Sequence, residues 1–236
     1  MNATSLAEGE MLLIDKPLNW TSFDVVNKLR YRVVKLCGKK TKVGHAGTLD
    51  PLATGLLVLC TGKMTKQLQF LQDEDKEYTG EMTFGKTTPS YDAETEPDRF
   101  FDTDHITEER IIQTIRTFMG SIQQMPPMFS AIKVDGQPLY KAARKGQVIE
   151  VQPRSVIIHE FDCLNFDKTA CKMQFRVRCS KGTYIRSLAY DFGAAMESGA
   201  FLSKLVRTRS GDKRLENAWN LDELIAKLEA MTEQTT

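Results

Sequence analysis

The 236-residue chain lacks any apolar run of the ~18 residues that a membrane-spanning helix needs. Its first ten residues are polar and acidic and hold no apolar stretch of the secretion-signal kind, so a cytoplasmic protein is expected. Among its five cysteines, Cys37, Cys60, Cys163, Cys171 and Cys179, no Cys-x-x-Cys pair occurs, and the number is odd. That pattern argues against a disulfide framework and a thiolate metal site. Cysteines in apolar or alternating runs read instead as small reduced hydrophobes. Histidines are few: His45, His105 and His159 are scattered without zinc-ligand spacing. No metal, cofactor or membrane partner is expected, and no internal repeat or low-complexity tract is present.

An excess of charge of either sign is also missing, since the formal net charge is +1. The distribution is uneven, however. Residues 92–109 hold eight acids and one arginine, and the rest of the chain has 31 basic and 23 acidic residues, a net of +8. Basic residues gather at Lys39, Lys40 and Lys42, and again at Lys204, Arg207, Arg209, Lys213 and Arg214. Lysine runs are most often solvated loops, but a basic body permits contact with phosphates.

With 41% hydrophobic residues the chain can bury an ample core. Met11–Ile14 reads as a buried strand ending at Asp15-Lys16-Pro17. Thr21 or Ser22 caps a helix to Cys37, with Phe23, Val26, Leu29, Val33 and Leu36 on one face and Gly38 ending it. Strands are expected at 56–60, 78–84 (where Gly80 marks a bulge), 130–134, 148–161 and 171–179, with Asp135-Gly136 as a hairpin turn. Helices are expected at 63–72, 107–119, 139–145, 183–196 and 221–231, and 85–105 reads as a long acidic loop. This order is a mixed α+β one. No linker is evident, so one domain spanning 1–236 is expected, with 1–10 and 232–236 as disordered tails.

What is present and informative is Gly44-His45-Ala46-Gly47-Thr48-Leu49-Asp50-Pro51-Leu52-Ala53-Thr54-Gly55, followed at once by Leu56-Leu57-Val58-Leu59-Cys60. A turn aspartate before proline is usually structural. Crowded glycines raise its interest, because they let a ligand or another backbone approach closely. A second feature is Cys179-Ser180-Lys181-Gly182-Thr183-Tyr184-Ile185-Arg186, a strand running through a turn into a helix. An arginine in a first helical turn opposes the helix dipole unless something anionic lies near. Asp50 is one such candidate, and a surface acid or solvent is the alternative. Tyr78, at a strand start, either packs in a sheet or stacks on a planar substrate. His45 is too far from Asp50 in sequence to presume a dyad, yet it could stack on a base.

Taken together, five ordered blocks resemble the TruB family of tRNA pseudouridine synthases. They are Met11–Pro17, Gly44–Gly55, Asp75-Lys76-Glu77-Tyr78, Pro126–Lys133 and Cys179–Arg186. The resemblance covers nearly the whole chain and implies the pseudouridine synthase fold: a long, mostly antiparallel mixed sheet flanked by helices and loops. It implies conversion of uridine 55 in the tRNA T-arm loop to pseudouridine, with tRNA as partner, no cofactor, and a monomer. Asp50 would be the nucleophile, attacking the flipped uridine at C6 or at C1′. Arg186 would pair with Asp50, Tyr78 would stack on the target base, and His45 would enter the space that the base vacates. Tyr184 and Leu205 match further pocket residues, and Lys16 and Pro17 match an early Lys-Pro motif beside the site. The substrate surface would further include Lys39, Lys40, Lys42, Lys204, Arg207 and Arg209.

Two departures stand out. The family's Thr-Asp-Thr-x-Asp-x-x-Gly pattern here reads Thr88-Pro89-Ser90-Tyr91-Asp92-Ala93-Glu94-Thr95, so no role is assigned to its first aspartate. The length leaves no room for the full C-terminal PUA domain of many bacterial relatives, so a short form is expected whose catalytic domain does its own phosphate binding. Two other functions compete: a non-catalytic RNA-binding protein and a glycosidic-bond enzyme acting on free nucleosides. The first does not require Asp50, Tyr78 and Arg186 together, and the second gives no reason for the basic clusters.

Overall fold

Thr21 begins the element that local chemistry specifies best. Its hydroxyl accepts from the Asp24 amide while the Asp24 carboxylate accepts from the Thr21 amide, a reciprocal cap that satisfies two orphan donors. The helix runs Ser22–Cys37, and Gly38 (φ 63°) ends it in the left-handed region. This computed structural model describes residues 1–130, 132–134, 136–147 and 149–234. In chain order the elements are α1 (Ala3–Glu8), β1 (Met11–Lys16), α2 (Ser22–Cys37), β2 (Val43–His45), β3 (Ala53–Thr61), α3 (Leu68–Asp73) and β4 (Lys76–Phe84). Then follow β5 (Lys86–Thr87), β6 (Arg99–Phe100), α4 (Glu108–Thr117), β7 (Gly120–Gln124), β8 (Lys133–Val134), β9 (Gln137–Pro138) and α5 (Leu139–Ala143). The last are β10 (Arg154–Asp167), β11 (Lys172–Cys179), α6 (Ile185–Ala195), β12 (Ala200–Ser210), β13 (Lys213–Arg214), β14 (Trp219–Asn220) and α7 (Leu221–Glu233).

A ten-stranded mixed sheet has the order β14-β1-β3-β12-β4-β11-β10-β7, with β2 on β3 and β13 on β12. The pairs β1–β3, β2–β3, β7–β10, β10–β11 and β12–β13 are antiparallel, whereas β1–β14 and β3–β12 are parallel. This is the α+β architecture and the mostly antiparallel sheet that the sequence implied. Contacts group Met1–Tyr78 with Leu205–Thr236 as one compact unit and Thr79–Lys204 as another.

In the first unit, β3 is buried on both faces, which is why its sequence is an unbroken apolar run rather than an alternation. Leu57 and Leu59 join Ile14, Val26, Leu29 and Leu224 in one core cluster, while Leu56, Val58 and Cys60 join Ala46 and Leu71 in another. Each such side chain withdrawn from water stabilises by about 1.5–3 kcal/mol. Phe23, expected on the buried face of α2, is instead 60% exposed, and Val25 takes the core position. The expected N-terminal tail is also corrected. Residues 3–8 form α1, capped by Asn2, and its Leu6 is fully buried in the same core as α2 and α7. At the other end α7 reaches Glu233, so residues 232 and 233 of the expected tail are helical, while Thr235 and Thr236 lie outside the described residues.

In the second unit, Phe192 of α6 meets Phe84, Phe118 and Phe161 at centroid distances of 5.4–6.2 Å. Gly80 serves close approach: an added Cβ would stand 2.6 Å from the Phe175 ring and 2.7 Å from the Lys204 carbonyl. The strand expected at 148–161 begins and ends later, as β10, and Val148 lies outside the described residues. Strand β7, too polar to be expected, is held by its ladder to β10. The expected acidic loop carries the short β5–β6 pair, Lys86 opposite Phe100. The strand expected at 130–134 is only β8, paired with β9, and Ala131 and the turn residue Asp135 lie outside the described residues.

Candidate active site

Asp50 lies in the segment joining β2 to β3, and its neighbours on each side are pinned. The Leu49 amide donates to Ser22 Oγ (2.8 Å), and that hydroxyl donates back to the Leu49 carbonyl (3.1 Å), so the start of α2 grips the residue before Asp50. On the other side, the Pro51 carbonyl accepts from the Asn19 amide (2.9 Å) and from Lys16 Nζ (3.4 Å). The Asp50 carbonyl itself accepts from the Ala53 amide (3.1 Å), closing a turn. The carboxylate therefore stands on a backbone with little freedom.

Lys16, which the family motif places beside the site, is fully buried, with a relative exposure of 0%, and so does not meet the substrate. Its ammonium also donates to the carbonyls of Pro17 (2.8 Å) and Trp20 (2.6 Å), so all three of its donor directions are used inside the protein. Burial pushes its pKa down to about 8, against the opposing pull of the Asp50 charge, with the Arg207 charge lowering it further. Lys16 is a support under the Asp50 turn.

His45 ends β2 opposite Leu59 and is partly buried, with Nδ1 enclosed and unpartnered. Burial lowers its pKa; a nearby Gly47 backbone group opposes this, and the Arg207 charge adds to it. Leu205 stands in register with Ala53 across the parallel β3–β12 ladder, and Tyr78 is buried near the start of β4.

The basic run around 204–214 is not one surface: Arg207 is buried, whereas Lys204 and Arg214 are exposed. It lies largely on β12, where successive side chains alternate faces, so Lys204 points away from the side taken by Arg207 and Arg209. Arg207 is 1% exposed and cannot meet a phosphate. Arg209, partly buried, donates from Nε to the Gly211 carbonyl (2.5 Å), and Lys213 is engaged by Glu74 and Asp212 at 2.6 Å each. Lys204 is exposed, 3.5 Å from Glu81. Lys39, Lys40 and Lys42 are exposed, as a phosphate surface requires.

In the second unit, Arg186 occupies the first turn of α6 and is buried. The anion that the helix dipole called for is present there: Asp92 Oδ2 is 3.6 Å from Arg186 Nε. Arg186 also donates to the carbonyls of Ser90 (3.2 Å) and Phe129 (2.9 Å). Asp92 Oδ1 in turn accepts from Ser90 Oγ (2.6 Å) and the Glu94 amide (2.9 Å). Tyr184 is fixed through its backbone, which exchanges hydrogen bonds with the Gln124 side chain at 2.8 and 3.0 Å. Sequence reasoning passed over Asp92, Gln124 and the bridging role of Ser22. Asp92 was hidden among surface-like acids; a signal was available in the fifth position of the Thr88–Asp92 pattern, where the family aspartate is kept. Among the described residues no group of three His, Cys, Asp or Glu side chains could hold a metal ion.

Known proteins similar to this chain show its family. The family described as TruB family pseudouridylate synthase (N terminal domain) matches residues 34–185. A tRNA pseudouridine synthase B from Flavobacterium johnsoniae is 56% identical over 220 residues, covering 92% of this chain and 95% of that protein. One from Bacteroides fragilis is 53% identical over 210 residues, covering 89% of each. Among solved structures, a chain of a Cbf5-Nop10-Gar1 complex superposes with a TM-score of 0.73 at 28% identity, covering 99% of this chain and 58% of that one. A chain of an H/ACA RNP bound to a substrate RNA containing 2′-deoxyuridine gives 0.70 at 26% identity, covering 98% and 56%. This chain therefore spans a little over half the length of those two solved chains.

Proposed function

The chain belongs to the TruB family of pseudouridylate synthases, and we propose that it isomerises uridine 55 in the T-arm loop of tRNA to pseudouridine with Asp50 as nucleophile. The observation that carries this reading is the Asp50 turn itself, a carboxylate on a backbone held by Ser22, Asn19 and Lys16. A nucleophile gains rate from such fixing, because the approach to the reacting carbon needs no further ordering.

The uridine leaves its stack to reach the acid. An Asp50 oxygen attacks either C6 of the base or C1′ of the ribose. The N1–C1′ bond breaks, the base turns, and C5 bonds to C1′. The bond to the Asp50 oxygen then breaks, the C5 proton leaves to solvent and N1 takes up a proton, so the sum is an isomerisation with no oxidant or reductant. Arg186, held by Asp92, is the cation that the family resemblance pairs with Asp50. Tyr78 stacks on the target base, Tyr184 and Leu205 line its pocket, and His45 occupies the vacated place in the loop. Lys39, Lys40 and Lys42 meet phosphates of the T-arm. The protein acts as a cytoplasmic monomer.

The test is release of tritium from unmodified tRNA labelled at C5 of uridine. Wild-type protein is expected to release it and Asp50→Asn to release none. A wild type that releases none overturns the reading, and an Asp50→Asn protein at full rate removes Asp50 from its role.

A further inference from the structure

We propose that Arg207 is a positioning residue for the nucleophile: its buried guanidinium clasps both ends of the segment that carries Asp50 and so sets where the carboxylate stands. This inference rests on the reading of Asp50 as nucleophile. Arg207 Nε donates to the Leu56 carbonyl (2.7 Å) and Nη2 to the Gly47 carbonyl (3.1 Å). Those two carbonyls flank residues 48–55, so one planar group ties the two ends of the turn together. A guanidinium holds two acceptors in a fixed fork, which an ammonium on a flexible stem does not.

Two glycines of the turn lie against the same residue, one against its backbone and one against its guanidinium. Gly55 (φ 96°) faces the Arg207 backbone in the β3–β12 ladder, where an added Cβ would stand 2.8 Å from the Arg207 nitrogen. Gly47 (φ 92°) lies against the guanidinium, with Nη1 3.4 Å from where its Cβ would be. Arg207 is among the largest side chains with almost no exposure. Burying a charge costs several kcal/mol, and filling this volume alone could be done by an apolar side chain at no such cost. The charge acts on its surroundings: it lowers the proton affinity of both Lys16 and His45.

The experiment compares Arg207→Gln and Arg207→Lys with wild type. It uses single-turnover pseudouridine formation at saturating tRNA, tRNA binding, thermal melting, a proton NMR titration of His45, and hydrogen exchange of the 48–55 amides. In Arg207→Gln the rate is expected to fall about 100-fold, the loss associated with a misplacement of about 1 Å, with tRNA affinity within about twofold of wild type. The His45 pKa is expected to rise and exchange at 48–55 to accelerate. Arg207→Lys should keep the low His45 pKa, because the charge stays, while recovering only part of the rate, because the fork is gone. A folded Arg207→Gln protein with wild-type rate overturns the proposal, and so does a parallel loss of rate and affinity. Should Arg207→Gln fail to fold, Arg207→Lys decides: full wild-type rate overturns the clasp. If wild type forms no pseudouridine, the proposed function fails, while the exchange and His45 readouts still judge the clasp: unchanged exchange in the variants overturns it.

Discussion

Three buried polar side chains, Lys16, Arg207 and Ser22, hold the Asp50 turn from three directions, and each spends its donors on backbone carbonyls. Lys16 makes this visible in solution. The folded chain releases its proton at about pH 8, and the unfolded chain near 10.5. Between those values the unfolded state holds more protons, so stability rises with pH across that window. Relative to Lys16→Met, wild type is expected to gain up to about 3 kcal/mol between pH 8 and 10.5. Urea unfolding at several pH values measures it, and parallel curves for the two proteins would show that Lys16 ionises normally. The variant will also be less stable throughout, since three carbonyls each lose a hydrogen bond.

At the scale of elements, α6 does two tasks from one face. Arg186 and Tyr190 are one turn apart, and both meet the segment around Asp92. Arg186 takes the Ser90 carbonyl and the Asp92 carboxylate, while Tyr190 stacks on Tyr91 at 4.0 Å with rings 22° apart. Tyr91 has φ 64°, an uncommon conformation for a bulky side chain, and its backbone is held by hydrogen bonds to Thr88 and Leu202 while its ring stacks on Tyr190. A double-mutant cycle of Tyr91→Ala and Tyr190→Ala is expected to give a coupling of about 1 kcal/mol in denaturant unfolding. Coupling indistinguishable from zero would mean that the rings are neighbours by accident of packing. Burial also raises the Tyr91 phenol to about 12, with Tyr190 and Asp191 adding to it, so its hydroxyl stays neutral at working pH.

For the whole molecule, the near-zero net charge conceals a basic body, and the structure redistributes the parts of that body that can touch an anion. The exposed cluster is Lys39, Lys40 and Lys42, in the connection after α2. Replacing all three with glutamine is expected to reduce the slope of log affinity for tRNA against log salt by about 2, with the single-turnover rate at saturating tRNA unchanged. An unaltered slope would class these lysines as solvated surface. The acidic stretch is not uniform either: Asp92 is buried against Arg186, while Asp98 accepts from the Thr87 hydroxyl and Glu94 meets Arg144 at the surface.

Local signals in the sequence determined α2 with both its caps, the doubly buried β3, and the Asp50 turn as the place of interest. Each depends on residues adjacent in the chain: a reciprocal cap, an unbroken apolar run, glycines around an acid. The family resemblance, carried by motifs in order, supplied the remaining site residues. Tertiary structure alone decided which charges are inside. Arg207 and Arg209 read as one basic cluster with Lys204 until β12 alternated their faces and placed Arg207 beneath Gly47 and Leu56. Phe23 and Val25 exchanged core and surface because the face of α2 is set by what packs on it. Strand β7 is specified by its partner β10 rather than by its own polar residues. The physical reason is common to all of these. Burial of a charge, a face or a weak strand is settled by groups far away in the chain, and no local pattern carries their positions.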